Sequence, residues 1–152
     1  MQRGKVGVWE GDTAGRVSVL AEYSIGHRVS HLAFWRDLSD TDPCLFYIAG
    51  GEKGDVHVAD DIGDVSLLFS TESPIVTLLP HPHRSSVVVF SENNTMEMHQ
   101  ILEDGSSKAL MRVKVSWPVN IPRGTVWAGE GLLATVTGGD QVRMWDIDQD
   151  DN

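Results

Sequence analysis

A chain of 152 residues, 41% hydrophobic and 22% charged, has the length and balance of one ordinary globular domain, and nothing in those figures points to disorder. Its formal net charge of −10, with only 12 scattered Lys and Arg, argues against a nucleic-acid backbone or an anionic membrane as partner, because both require clustered cations. A single Cys, no apolar run approaching the ~18–20 residues that span a bilayer, and no apolar amino-terminal region lead us to expect a reducing compartment, with neither membrane insertion nor export.

Taken in order, the chain predicts short strands separated by turn chemistry. Strands at 5–9 and 16–23 flank the Gly-Asp-Thr-Ala-Gly turn at 11–15. Gly26-His27 then leads into four strands at 29–35, 44–50, 55–60 and 65–70; the polar, Pro-containing connection 36–43 reads as a surface loop. Four more follow at 75–79, 86–92, 96–101 and 109–115, broken at Pro80 and Pro82, at Asn93-Asn94 and at Asp104-Gly105. The last three lie at 125–128, 132–137 and 142–147, the final pair joined by Gly138-Gly139-Asp140. No stretch has a helical period. Runs such as Val87-Val88-Val89-Phe90 and Leu67-Leu68-Phe69 are apolar on both faces, which predicts strands sandwiched between two other sheets.

Four of these strands echo one another. KVGVWEG at 5–11, GDVHVAD at 54–60, TMEMHQI at 95–101 and QVRMWDI at 141–147 align Trp9, Ala59, His99 and Trp145. Their spacings are roughly 40–50 residues, near the ~40–45 of a WD repeat, whose blade carries a strand ending in Trp-Asp and a Gly-His between blades. The predicted fold is therefore all-β, a partial WD40-like β-propeller of about three blades of four-stranded antiparallel sheet, incomplete at both ends. Residues 1–152 read as a fragment of one propeller, with the outer half of a blade at 1–25, blades at 26–72 and 73–116, and an incomplete blade at 117–152. Thirteen strands out of phase cannot close a ring of ~4–8 four-stranded blades. About 400 Å² of apolar surface left bare on each terminal blade forgoes on the order of 10 kcal/mol, so the isolated chain is expected to be poorly soluble.

The candidate chemical groups favour structural readings. His81 and His83 have the spacing of a metal half-site, with His99 and His31 as conceivable partners, yet no Cys pair or paired carboxylate accompanies them, and no metal is expected. Asp60, Asp61, Asp146, Asp148, Asp150 and Asp151 read as solvated turn and tail charges rather than a calcium site or acid/base pair. Gly50-Gly51-Glu52-Lys53-Gly54 lacks the ending and the following helix of a phosphate loop. Cys44 opens an apolar run and reads as core filler rather than a nucleophile. Neither catalytic residues nor a cofactor are expected. In a well-formed WD blade a loop His, a strand Ser or Thr, the Trp and a turn Asp make a buried hydrogen-bond chain. His27, Thr135, Thr137 and Trp145 read as remnants of such sets: no blade keeps all four, and the turn before Asp140 is about one residue short.

The run VVVFSENNTMEMHQILEDGSSKALMRVKVSW, followed by EGLLATVTGGDQVRMWDIDQD, resembles the amino-terminal propeller of the largest WD-repeat subunit of intraflagellar transport complex A, the hundred-and-forty-kilodalton subunit. The resemblance rests on Glu92-Asn93 before the strand Met111 to Val115, and on a blade ending close to Val-Arg-Met-Trp-Asp-Ile; GHRVSHLAFW and LFYIAGGEKGDVHVADDIGDV are similar more loosely. It implies a large non-catalytic scaffold subunit supporting retrograde transport and cargo entry at the cilium or flagellum, its basal body and the cytoplasm. The partners implied are other complex A subunits and adaptors of ciliary membrane-protein cargo. The rival reading is a WD-repeat adaptor or vesicle-coat subunit of another cytoplasmic assembly.

Overall fold

In the computed structural model, which describes residues 4–35, 45–116, 124–138 and 141–148, every regular element is a β-strand. The strands are β1 (Lys5–Gly11), β2 (Val17–Ser24), β3 (Val29–Trp35), β4 (Leu45–Gly50), β5 (Asp55–Asp60), β6 (Val65–Ser70), β7 (Ile75–Pro80), β8 (Ser86–Ser91), β9 (Thr95–Ile101), β10 (Ser107–Lys114), β11 (Thr125–Trp127), β12 (Leu132–Gly138) and β13 (Gln141–Asp146). They form antiparallel sheets of two (β1-β2), four (β3-β4-β5-β6), four (β10-β9-β8-β7) and three strands (β11-β12-β13), each joined by consecutive hairpins, the up-and-down order of propeller blades. The chain divides into two compact units, Met1–Ile75 and Val76–Asn152. Cys44, Asp140, Asp150 and Asp151 lie outside the described residues.

The first unit packs β1-β2 against β3-β6. Period-two alternation turns Val6 and Val8 of β1 and Ala21 and Tyr23 of β2 inward, onto Ile48 of β4 and Ala59 of β5, with Phe46 and Val29 at the margin. Tyr23 meets Phe46 edge to face, ring centroids 5.9 Å apart. The glycines of the β4–β5 turn let three chain segments meet. The Gly51 N–H donates to the Arg28 carbonyl (3.0 Å) and the Thr71 N–H to the Gly54 carbonyl (3.1 Å). A Cβ on Gly54 would overlap the Thr71 hydroxyl and the Ser73 carbonyl, and its φ is +62°.

The second unit packs β11-β13 against β7-β10. Its core holds Val88, Phe90, Met96, Met98, Val115 and Leu133, with Trp127 and Trp145 packed against it. Val87, Val88 and Val89 have no exposed surface, as a central strand apolar on both faces should. The same expectation fails for Leu67-Leu68-Phe69: Leu67 is 57% exposed, and Leu68 and Phe69 are half-buried. The cause is position in the sheet, because β6 is an edge strand with a neighbour on one side only.

A finer repeat emerges in the three outer hairpins. In β1-β2, β5-β6 and β9-β10 the N–H of Asp12, Asp60 and Leu102 donates to the carbonyl four residues on, of Arg16, Asp64 and Ser106. The fourth turn residue is a positive-φ glycine in each: Gly15 (80°), Gly63 (118°) and Gly105 (87°). Just beyond, the register of each outer strand skips one residue, placing a bulge at Leu20, Leu68 and Leu110. In this register Trp9 faces Val19, His57 faces Leu67 and His99 faces Ala109. Measured from the outer turn, His57 rather than Ala59 therefore stands at the Trp9 position. The two residues share a sheet face, because side chains alternate with period two, so the sequence pattern could not separate them.

Candidate interaction surfaces

Most polar groups singled out in the sequence are spent on tying sheets together. Asp60, at the end of β5, accepts at Oδ1 the N–H groups of Ile62 (3.0 Å), Gly63 (3.0 Å) and Asp64 (2.9 Å). The Tyr23 hydroxyl reaches over from β2, donates to the Asp60 carbonyl and accepts the Gly63 N–H at 3.1 Å. Burial pushes the Asp60 carboxyl up, but its backbone donors outweigh that and hold it below the usual carboxylate range. The Tyr23 phenol is raised, first by burial and then by the Asp60 charge. This knot joins residues far apart in sequence, and only a Tyr on an outer strand and an Asp before a turn hinted at it.

His27 donates from Nδ1 to the Arg28 carbonyl at 3.1 Å, and its Nε2 lies 3.6 Å from Asp55 Oδ2. Its ring lies 5.6 Å from that of His57, the residue at the Trp position. Burial, then the His27 charge, lowers the His57 imidazole, with Asp55 and the Ile48 backbone opposing. This blade thus keeps the loop-His, turn-Asp contact with His57 in place of the indole.

In the second unit His81 is buried and locked. Its Nδ1 accepts the His83 N–H (3.0 Å), which leaves the proton on Nε2 to donate to the Glu130 carbonyl. The ring lies 4.5 Å from Trp127, whose indole N–H donates to the Pro80 carbonyl at 3.1 Å. Both nitrogens are thereby committed, and the His81-Pro82-His83 segment acts as a clasp onto the β11–β12 turn. Among the described residues no three His, Cys, Asp or Glu side chains converge as a metal site. His31 lies on β3 of the first unit. His99 is buried on β9 with Nε2 3.4 Å from Glu97 Oε1, and burial lowers its imidazole to about 4, so it is neutral at physiological pH. Arg84 grips Asp148 with two parallel bonds of 2.7 and 2.8 Å, and that bond holds the Asp148 carboxyl below its usual range. Asp146 Oδ1 accepts the Asp148 N–H at 3.2 Å. Thr135 shares a hydroxyl–hydroxyl bond of 2.9 Å with Thr125, and Trp145 packs on the core beneath Arg143; the Thr137 side chain lies outside what is described.

What remains available to a ligand is surface. In the first unit an open groove of about 520 Å³ lies between β1 and β3, walled by Val8, Trp9, Leu32, Phe34 and Phe46, with Glu10 and Asp61 at its margin. One face of β11-β13 exposes Val126, Leu132, Val142 and Met144, all at even positions. The outer edge of β6 exposes Val65 and Leu67, with Ile62 in the turn before it. Apolar area of this kind on antiparallel sheets is suited to holding protein segments.

Comparison with curated proteins gave no match. Residues 36–152 match the family model described as the IFT140 first beta-propeller, which ties the chain to intraflagellar transport complexes and to cilia, in a propeller family that is typically non-catalytic. That match spans more than half of the chain, which therefore belongs to the IFT140 first β-propeller family.

Proposed function

We propose that this chain is part of a non-catalytic scaffold subunit of the intraflagellar transport A particle, supporting retrograde ciliary transport and the entry of ciliary cargo through protein–protein contacts. The observation that carries the reading is the family match over 36–152, joined to a structure whose His, Asp and Arg groups are occupied in fastening sheets while apolar sheet surface stays open. Its partners in this reading are other complex A subunits and adaptors of ciliary membrane-protein cargo. With a net charge of −10 the chain is poorly suited to nucleic acid, and no helix among the described residues is long and apolar enough to cross a membrane. It would work at the cilium or flagellum, its basal body and in the cytoplasm.

The test is to tag the full protein in ciliated cells and follow it by microscopy and affinity purification. Signal at the flagellar base and along the axoneme, with complex A subunits co-purifying, is the expected result. Uniform cytosolic signal without those subunits would overturn the reading in favour of a WD-repeat adaptor or vesicle-coat subunit of another assembly.

A further inference from the structure

We infer that the second unit carries a receptor for one tyrosine side chain presented by another protein, in an open pocket of about 240 Å³ walled by Met98, Leu110, Met111 and Ile147 and edged by Ser86 and Asp148. This deepens the scaffold reading and rests on it. The two units build the same junction between neighbouring sheets. Counted from the bulges at Leu20 and Leu110, Ala21 and Tyr23 of β2 correspond to Met111 and Val113 of β10, and their partners Val8 and Val6 on β1 to Met98 and Met96 on β9. On the facing sheet Ile48 pairs with His57 and Leu133 with Trp145, so Ala59 and Asp60 of the first unit correspond to Ile147 and Asp148 of the second. The matched apolar residues are packed together in each core. One position differs in kind. In the first unit Tyr23 lays its ring in this junction, and its hydroxyl donates to the Asp60 carbonyl and accepts the Gly63 N–H. In the second unit that position is Val113, with neither ring nor hydroxyl, and the pocket lies against Met98, Met111, Ile147 and Asp148, the counterparts of the residues around Tyr23.

Size and lining decide the occupant. At about 240 Å³ the pocket falls below the ~300–1,000 Å³ of sites that enclose a drug-sized ligand, and it suits a single side chain anchoring a partner segment. Two Met walls favour an aromatic ring, because thioethers adapt to its shape and make sulfur–ring contacts. The rim favours a hydroxyl on that ring. Asp148 stands where Asp60 meets the Tyr23 phenol, and Ser86, only 3% exposed, has a buried Oγ with no hydrogen-bond partner among the described residues. Arg84 is held against Asp148 by its two bonds, so it closes one side of the pocket rather than recruiting an anion. A second copy of the chain is not the source of the tyrosine, because its two, Tyr23 and Tyr47, are 4% and 0% exposed.

The probes are N-acetyl-tyrosine methylamide, its phenylalanine twin and p-cresol, each titrated into the full protein by ligand-observed NMR. The tyrosine probe should bind about tenfold tighter than its twin, the ratio that one recovered hydrogen bond gives. Val113→Tyr, which places the first unit's side chain in the second, should abolish binding without lowering the melting temperature. Ser86→Ala removes a hydroxyl that has no bond to lose, so melting should be unchanged while the preference for tyrosine falls to about threefold or less. If Val113→Tyr does not fold, Ser86→Ala decides. No binding to the full protein, equal binding of the twins, or binding that neither substitution alters would overturn the assignment. So would binding of p-cresol alone, since the pocket would then serve a small phenol rather than a protein side chain. Absence of complex A subunits from the tagged full protein would instead strike the scaffold reading, whatever the probes do at this pocket.

Discussion

Leu133 offers the sharpest test of how the second unit holds together. It has no exposed surface, lies between Trp127 and Trp145 in the register of β11-β12-β13, and is the member of this sheet buried in the core with Val88, Phe90, Met96 and Met98. Leu133→Ala removes a side chain's worth of burial and leaves a cavity that paired strands cannot collapse to fill. The expected cost is about 3 kcal/mol, within the ~2.7–5 measured for buried Leu→Ala changes. At ~1.4 kcal/mol per tenfold, this corresponds to about 100-fold faster hydrogen exchange wherever protection depends on that packing. Exchange in the full protein, read by mass spectrometry over β8, β9 and β12, should show that increase. Leu67→Ala, at a 57% exposed position, should cost under ~1 kcal/mol and leave exchange within about fivefold of wild type. If both substitutions act alike, or if β8 and β9 are unmoved by loss of Leu133, the inward face assigned to β12 is wrong.

Gly54→Ala should destabilise by about 2–4 kcal/mol, because φ of +62° and overlap with the Thr71 hydroxyl and Ser73 carbonyl act together; Gly15→Ala, at +80° with nothing within 4 Å, should cost only about 1 kcal/mol. Equal shifts in denaturant midpoint would refute the crowding around the β4–β5 turn. His99 is held by burial at about 4 against 6.5 for the free side chain, so between those values the unfolded chain binds a proton that the folded one refuses. Its contribution, on the order of 2–3 kcal/mol, is therefore complete above about pH 6.5 and lost as pH falls towards about 4. His99→Phe should flatten that part of the stability profile, and an unaltered acid limb would show that the imidazole is solvated.

The amino-acid order alone determined the strands and their breaks. The predicted strands at 55–60 and 65–70 coincide with β5 and β6, and most others differ by only a few residues, because period-two patterning and Gly, Asn, Asp and Pro in turns act over neighbouring positions. It also carried the family resemblance, which residues 36–152 bear out. Tertiary structure decided the rest. Whether an apolar run is buried depends on having a strand on either side, which is why Val87 to Phe90 is enclosed while Leu67 faces solvent. Whether His57 or Ala59 holds the Trp position depends on a bulge at Leu68, set by cross-strand pairing rather than by the strand's own pattern. The Tyr23–Asp60 knot and the His81 clasp join residues 37 and 49 positions apart, and no local propensity encodes which distant carbonyl a side chain will meet. Short-range sterics and hydrophobic alternation write the strands, and only the packed sheets select the partners.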